Sequence, residues 1–253
     1  MSADVGADEG PDPWAGGRRR TVGLAVTVVL GTALLLWAAE WLARSGAESV
    51  LAGTVQEQTG VSERPTVEVH GGPVLLQALR GRYDDVHVEV QSLSSGPLRL
   101  VDHTTRLEGV YLSFQDLVDG STDRVFVEQA AEEALVTYGD LDRYLGFAGR
   151  DLHAEPAMDG QVRFTGSVDV LGELRTVSAL TRVDAEEGAL LVRPTRLDTT
   201  QPLEGIGELL VTQRFTFPVP LDSLLFEQGT VEVTAGSSGL TVRTSGQGVV
   251  LGS

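Results

Sequence analysis

The run TVGLAVTVVLGTALLLWAA, Thr21 to Ala39, holds nineteen residues without a charge. At about 1.5 Å of rise per residue it spans about 28 Å as a helix, close to the roughly 30 Å hydrocarbon core of a bilayer. Every other feature of the chain has to be fitted around a segment that water rejects. Trp37 and Trp41 stand where an interfacial belt would lie. Arg18, Arg19 and Arg20 precede the run and only Arg44 follows closely, so the positive-inside rule places the N-terminus in the cytoplasm and the remainder outside. A cleaved signal peptide is the rival reading, but its apolar region is usually roughly 7 to 15 residues long. The following AAEWLARSGA also offers no clean A-x-A site. Residues 18–42 therefore read as an uncleaved, single-pass signal-anchor.

Ahead of the anchor, MSADVGADEGPDPWAGG is acidic, rich in Gly and Pro and without periodicity, and residues 1–17 read as a disordered cytoplasmic tail. The whole chain carries a net charge of -17. Met1 to Arg44 hold five carboxylates against four arginines, net -1, which leaves -16 on the rest. An acidic body repels a phosphate backbone, so no nucleic-acid partner is expected. There is no Cys and no Lys. That excludes thiol nucleophiles, disulfides, thiolate metal sites, Schiff-base lysines and a phosphate-loop lysine.

Residues 46–253 read as one extracytoplasmic domain. Ser45 stands three residues before Glu48, which fits a capping box, and Val50, Leu51 and Val55 then follow helical spacing up to a terminating Gly60. From Pro65 onward the pattern is mainly that of strands. Val67 and Val69 alternate with Glu68 and His70, and Val86, Val88 and Val90 repeat the pattern. Further strands are expected at Leu98–Glu108, Val110–Phe114, Leu152–Ala157, Val162–Val170, Leu174–Asp184, Leu190–Leu197, Phe215–Pro220, Val231–Ala235 and Leu240–Thr244. The segment VFVEQAAEEAL is assigned to strand too, although its composition also suits a helix. Two more helical turns are expected, one capped by Asp140 and burying Leu141, Tyr144 and Leu145, the other placing Ile206, Leu209 and Leu210 on one face. So many short strands imply a mainly antiparallel sheet in an α+β fold.

Motifs of catalysis are missing. No G-x-S-x-G elbow, H-E-x-x-H helix, Rossmann glycine fingerprint or D-x-D-x-D-G calcium loop occurs, so neither an enzyme nor a metal site is predicted. His70, His87, His103 and His153 read as solvated surface residues, because nothing in their spacing makes a ligand set converge. Asp84 and Asp85 are adjacent, point to opposite faces of a strand, and do not make a paired acid and base. Arg80 and Arg82 suit a phosphate or carboxylate head group, but an ion pair with Asp84 or Asp85 is the commoner role.

The stretch GGPVLLQALRGRYDDVHVEV changes period midway, from a helical turn with Val74, Leu75, Ala78 and Leu79 to a strand with Val86, Val88 and Val90. It resembles the G-x-P-x-L-x-Q-x-L-x-G-x-Y-D-x-V signature of the DUF2993 family, the LmeA-like phospholipid-binding proteins of actinobacteria. The matching positions are Gly71 or Gly72, Pro73, Leu75 or Leu76, Gln77, Leu79, Gly81, Tyr83, Asp84 and Val86. TYGDLDRYL at Thr137 to Leu145, LLVRP at 190–194 and the ending FTFPVPLDSLLFEQGTVEVTAGSSGLTVRTSG resemble that family as well. Gly72 replaces a bulky aromatic usual before the Pro, and a Pro-rich stretch near the end is reduced to LDSLLF, so cargo identity is not carried over.

The resemblance implies a tubular lipid-binding domain of the BPI-like superfamily, in which a strongly curved antiparallel sheet wraps around an N-terminal helix and leaves an apolar tube. It also implies binding of phospholipid or glycolipid as cargo, without a further cofactor, in envelope lipid or lipoglycan handling beside the membrane. An envelope glycosyltransferase or transporter is the kind of partner such a role involves. The lining expected on this basis is Val50, Leu51, Val55, Val74, Leu75, Leu76, Leu79, Tyr83, Leu141, Tyr144, Leu145, Leu209, Phe215, Phe217, Leu225 and Phe226, with Arg80 and Arg82 at the head group. Burial at about 0.8 kcal/mol per methylene gives an acyl chain of a dozen carbons on the order of 10 kcal/mol before ordering costs. Apolar periodicity alone does not separate a lined cavity from a filled core. A membrane-tethered interaction module and a carboxylate-dependent envelope hydrolase are the competing readings.

Overall fold

The computed structural model describes residues 15–59, 63–95, 98–113, 115, 125–170, 172–186, 189–199, 205–221 and 230–251. The chain forms two compact units, Met1–Ala43 and Arg44–Ser253. Helix α1, Ala15–Thr59, continues from the first into the second. Its stretch Val28–Gly53 is long and apolar enough to cross a membrane, a test that a signal sequence also passes. The helix start expected at Ser45 is not there. A capping box needs free N–H groups to satisfy, and the unbroken helix supplies none, so Glu48 instead accepts from the Val69 N–H at 3.4 Å. Gly60, expected to end this helix, lies outside the described residues.

The second unit is α+β with mainly antiparallel strands, in chain order β1 (Thr66–His70), α2 (Val74–Arg80), β2 (Arg82–Ser95), β3 (Leu98–Tyr111), β4 (Val125–Thr137), α3 (Tyr138–Phe147), β5 (Leu152–Pro156), β6 (Val162–Val170), β7 (Glu173–Glu186), β8 (Ala189–Thr199), α4 (Ile206–Arg214), β9 (Phe217–Pro220), β10 (Thr230–Ala235) and β11 (Gly239–Leu251). Two sheets result. A six-stranded curled sheet has the order β1-β2-β3-β4-β11-β10, and a five-stranded one the order β5-β6-β7-β8-β9. Every pairing is antiparallel. The ambiguous VFVEQAAEEAL is strand, within β4. The two strands expected between Leu98 and Phe114 are one, and Phe114 lies outside the described residues.

Local chemistry explains the helical turns. In α3 the cap is Thr137 and not Asp140: the Thr137 hydroxyl oxygen accepts from the Asp140 N–H at 3.1 Å. Leu141 and Leu145 are buried beneath it, while Tyr144 is half-buried. Helix α4 turns Val211 and Gly207 inward, so the shared face of Ile206, Leu209 and Leu210 is exposed. Helix α2 ends at Gly81 with φ 66°, a left-handed cap whose N–H reaches the carbonyls of Ala78 and Gln77. Gln77 holds this turn closed. Its amide donates to the Gly72 carbonyl at 2.9 Å and accepts from the Asp84 N–H at 2.8 Å.

Two apolar clusters fill the unit. One joins Ala47 and Ala52 of α1 to Val74 and Ala78 of α2 and to Val69, Val86, Val88, Leu107, Val110 and Val127 of the six-stranded sheet. Arg44 donates to the Val69 carbonyl and Glu48 accepts from the Val69 N–H, which fixes this part of α1 along β1. The other cluster packs the far part of the same sheet, with Leu98, Leu100, Val136 and Leu240, against the five-stranded sheet, α3 and α4.

Two predictions test this packing. A β-carbon at Gly239 would sit 2.1 Å from the Val136 carbonyl oxygen of the paired strand, whereas Gly236 has nothing nearer than 3.7 Å. Gly239→Ala is expected to cost about 2 kcal/mol, in the range for overpacking, and Gly236→Ala much less, as read by denaturant unfolding. Asp142 clasps α3 to β5, accepting from the Ala154 N–H at 2.7 Å and meeting His153 Nδ1 at 2.6 Å. The hydrogen bond to Asp142 holds the His153 pKa above its ordinary value. Its small contribution to stability is therefore full below the unfolded value of about 6.5 and fades as pH rises through the raised folded value. An NMR titration checks the direction, and His153→Gln flattens that part of the stability profile.

Candidate functional site

The inward face of the six-stranded sheet is apolar at both ends and polar across its middle. A strand shows alternate residues to one side, so Leu98 and Leu100 of β3 face the interior together. Between Val101 and Thr104 the register slips by a bulge, with Asp102 at φ 50°. One extra residue reverses the phase. Beyond it His103, Thr105 and Leu107 face inward, where an unbroken strand would have buried Asp102, Thr104 and Arg106. Opposite Thr105 stands Glu132 of β4, and opposite Glu132 stands Thr244 of β11. These four residues form a belt between the two apolar clusters, and all are buried.

Within the belt, Glu132 has a fully buried side chain that pairs with Nε2 of His103, whose side chain is 4% exposed. Its second oxygen accepts from the Thr244 hydroxyl at 3.3 Å. The contact with Glu132 occupies Nε2 and leaves Nδ1 as the second ring nitrogen. Among the described residues, neither His103 Nδ1 nor Thr105 Oγ1 has a hydrogen-bond partner. A ring nitrogen and a hydroxyl are each able to take a hydrogen bond from a polar ligand group. The expectation of a solvated His103 is overturned: the bulge, invisible to simple alternation, carries it inside. Among the described residues no group of three or more His, Asp or Glu suits a metal ion.

The expected lining residues separate. Leu51, Val55, Val74 and Tyr83 join the cluster against α1 and α2, and Leu141, Tyr144, Leu145, Phe215 and Phe217 join the other. Leu75 is half-buried, and Val50, Leu76, Leu79 and Leu209 are exposed. Leu225 and Phe226 lie outside the described residues. Tyr83 anchors the turn into β2 by burial, which also pushes its phenol pKa up. Two concavities open on the solvent-facing side of the six-stranded sheet, one of about 680 Å³ around Arg106, Glu133 and Arg243 and one of about 370 Å³ around Arg106, Glu108 and Gln129. None of the expected lining residues borders either one.

Of the two head-group candidates, Arg80 is exposed and Arg82 is committed. Arg82 donates to Asp84 at 2.9 Å, to Glu128 at 3.1 Å and to the Tyr111 hydroxyl at 3.2 Å, and that hydroxyl donates to Glu128 at 2.6 Å. The expected pairing of Arg82 with an adjacent carboxylate is found. The Tyr111 hydrogen bond, followed by that of Arg82, holds the Glu128 carboxyl below its ordinary pKa, and Glu128 foremost raises that of Arg82.

A curled antiparallel sheet whose inner face packs at one end against α1 and α2 and at the other against the five-stranded sheet, with a polar belt between, defines an α+β domain. A family model described as LmeA-like phospholipid-binding matches residues 38–245, and the chain belongs to that family. The match takes in the part of α1 that packs on β1 and leaves out most of the uncharged run before it. No curated protein and no solved structure matches the chain.

The belt predicts a stability pattern. His103→Ala would take away the imidazole partner of the buried Glu132 carboxyl and is expected to cost about 3 kcal/mol, the range for breaking a buried pair. The double variant His103→Leu, Glu132→Leu should cost clearly less than the sum of the single changes, as a double-mutant cycle would show. Thr105→Val removes a buried atom that has no hydrogen-bond partner among the described residues and should hold or raise the unfolding midpoint.

Proposed function

We propose that the chain is a membrane-anchored, extracytoplasmic binder of phospholipid or a related glycolipid, which serves envelope lipid or lipoglycan handling by binding and not by turnover. Membership of a phospholipid-binding family supports lipid as the ligand. The observation that carries the reading further is the belt: His103 Nδ1 and Thr105 Oγ1 lie unpartnered between two apolar clusters. Buried polar atoms cost roughly 1 to 3 kcal/mol each when left unsatisfied. A lipid whose chains lie against the clusters on either side, with a glycerol hydroxyl or similar group at the belt, removes that cost.

The uncharged run Thr21–Ala39 supports retention beside one membrane, with three arginines on its N-terminal side and the folded unit beyond it. In this reading residues 1–17 are a cytoplasmic tail, 18–42 the anchor and 46–253 the lipid-binding domain. A tethered binder presents lipid to a neighbouring envelope glycosyltransferase or transporter instead of carrying it across a wide gap. One observation favours a second reading, an interaction module: the exposed face of Ile206, Leu209 and Leu210 on α4.

Residues 46–253, made without the apolar run, shown to be folded by circular dichroism and purified without detergent, should carry stoichiometric phospholipid or glycolipid on mass spectrometry of the extract. Thr105→Val should lower the occupancy several-fold while the variant still folds. A folded protein that is empty and takes up no added lipid sinks the binder and leaves the interaction module.

A further inference from the structure

We propose that the rim of the six-stranded sheet next to Arg44 is a docking surface for the lipid bilayer, a proposal that rests on the apolar run being retained as an anchor. Pairing places Arg82 of β2, Tyr111 of β3, Phe126 of β4 and Val250 of β11 in one row across the end of the sheet. Tyr111, Phe126 and Val250 are 41%, 43% and 58% exposed on the solvent-facing side, with the Tyr111 and Phe126 rings 5.7 Å apart. At the same end α2 joins β1 to β2, presenting Leu76 at 45% and Leu79 at 71% exposure, with Arg80 beside them. Five large apolar side chains therefore stand in solvent on one rim.

Chain continuity selects the bilayer as the occupant. Arg44 donates to the carbonyl of Val69, and Val69 pairs with Val86 near the start of β2. The folded unit thus begins at this rim. Ala39, the last residue of the uncharged run, precedes Arg44 by five residues, which at full extension cover about 17 Å. Whatever angle the preceding segment takes, a membrane that holds the uncharged run lies within that reach of Arg44. Among the described residues of the rim, Arg80 and Arg82 stand with Asp84 and Glu128, so two cations accompany two carboxylates there. Tyr111, held by its bonds to Arg82 and Glu128, offers an apolar ring with a polar tip, the residue type enriched at membrane interfaces.

The absence of native cysteine makes single-cysteine labelling clean. Full-length Leu79→Cys, Phe126→Cys and Leu209→Cys variants, each carrying an NBD fluorophore, would be reconstituted in vesicles of equal parts phosphatidylcholine and phosphatidylglycerol. Leu209 is the comparison position, 66% exposed on α4, which packs with the other apolar cluster. Probes at 79 and 126 are expected to emit at shorter wavelength and to be quenched several-fold more by lipid bearing a doxyl group near the head group than by aqueous iodide, with the order reversed at 209. Probes at 79 and 126 open to iodide overturn the proposal. So does quenching by lipid at 209 alone, or protection of 79 and 126 from both quenchers, which is the result of a protein covering the rim. Alkaline carbonate extraction of the same sample reads the anchor separately: a chain kept in the pellet with its rim probes in water overturns docking alone, and a chain washed out overturns both.

Discussion

A strand has only two faces, and one inserted residue exchanges them along the rest of its length. That constraint decides what the interior of this protein contains. At Asp102 the exchange turns His103 and Thr105 inward, and the ladder then requires something opposite them to be compatible with burial. Glu132 and Thr244 meet the requirement from the next two strands. The belt is thus a property of three strands in register, and its position sets the boundary between the two apolar clusters.

Much of this was legible. Alternation located nearly every strand, and the change of period after Gly81 marked the α2 to β2 junction correctly. The bulge also left a trace: Leu98 and Leu100 occupy even positions and Leu107 an odd one, so β3 has to change phase between them, and His103 and Thr105 share the phase of Leu107. Thr137 three residues before Asp140 was likewise a readable capping pattern. Other features had no local signal. Ser45 looks like a helix start because Ser and Glu stand at the right spacing, yet the apolar run before it was already helical. Periodicity put Ile206, Leu209 and Leu210 on one face and was silent on whether anything covers it. The separation of Val74 and Phe217 into different clusters depends on tertiary packing, which no single segment encodes.

The buried pair is costly to desolvate, and packed apolar residues of similar volume would often be at least as stable. Its presence in the interior is therefore poorly explained by stability alone. His103 Nδ1 and Thr105 Oγ1 point the same way, since neither has a hydrogen-bond partner among the described residues. In the reading proposed above, a lipid with a polar segment gives both a purpose and accounts for why the polar groups sit between the clusters and not at an edge.

Strand β11 lies between β4 and β10, and its residues 239–251 pair with 125–137, more than a hundred positions earlier. Contacts of such sequence separation form slowly, because the intervening chain has to be ordered first. During synthesis β4 therefore waits as an open edge while β5 to β10 are made, and Glu132 waits without Thr244. Unpaired edges of this kind are where nascent chains associate wrongly. The maturation of this protein consequently has its vulnerable interval late, between completion of the five-stranded sheet and insertion of β11, and that interval is when a chaperone would have the most to protect.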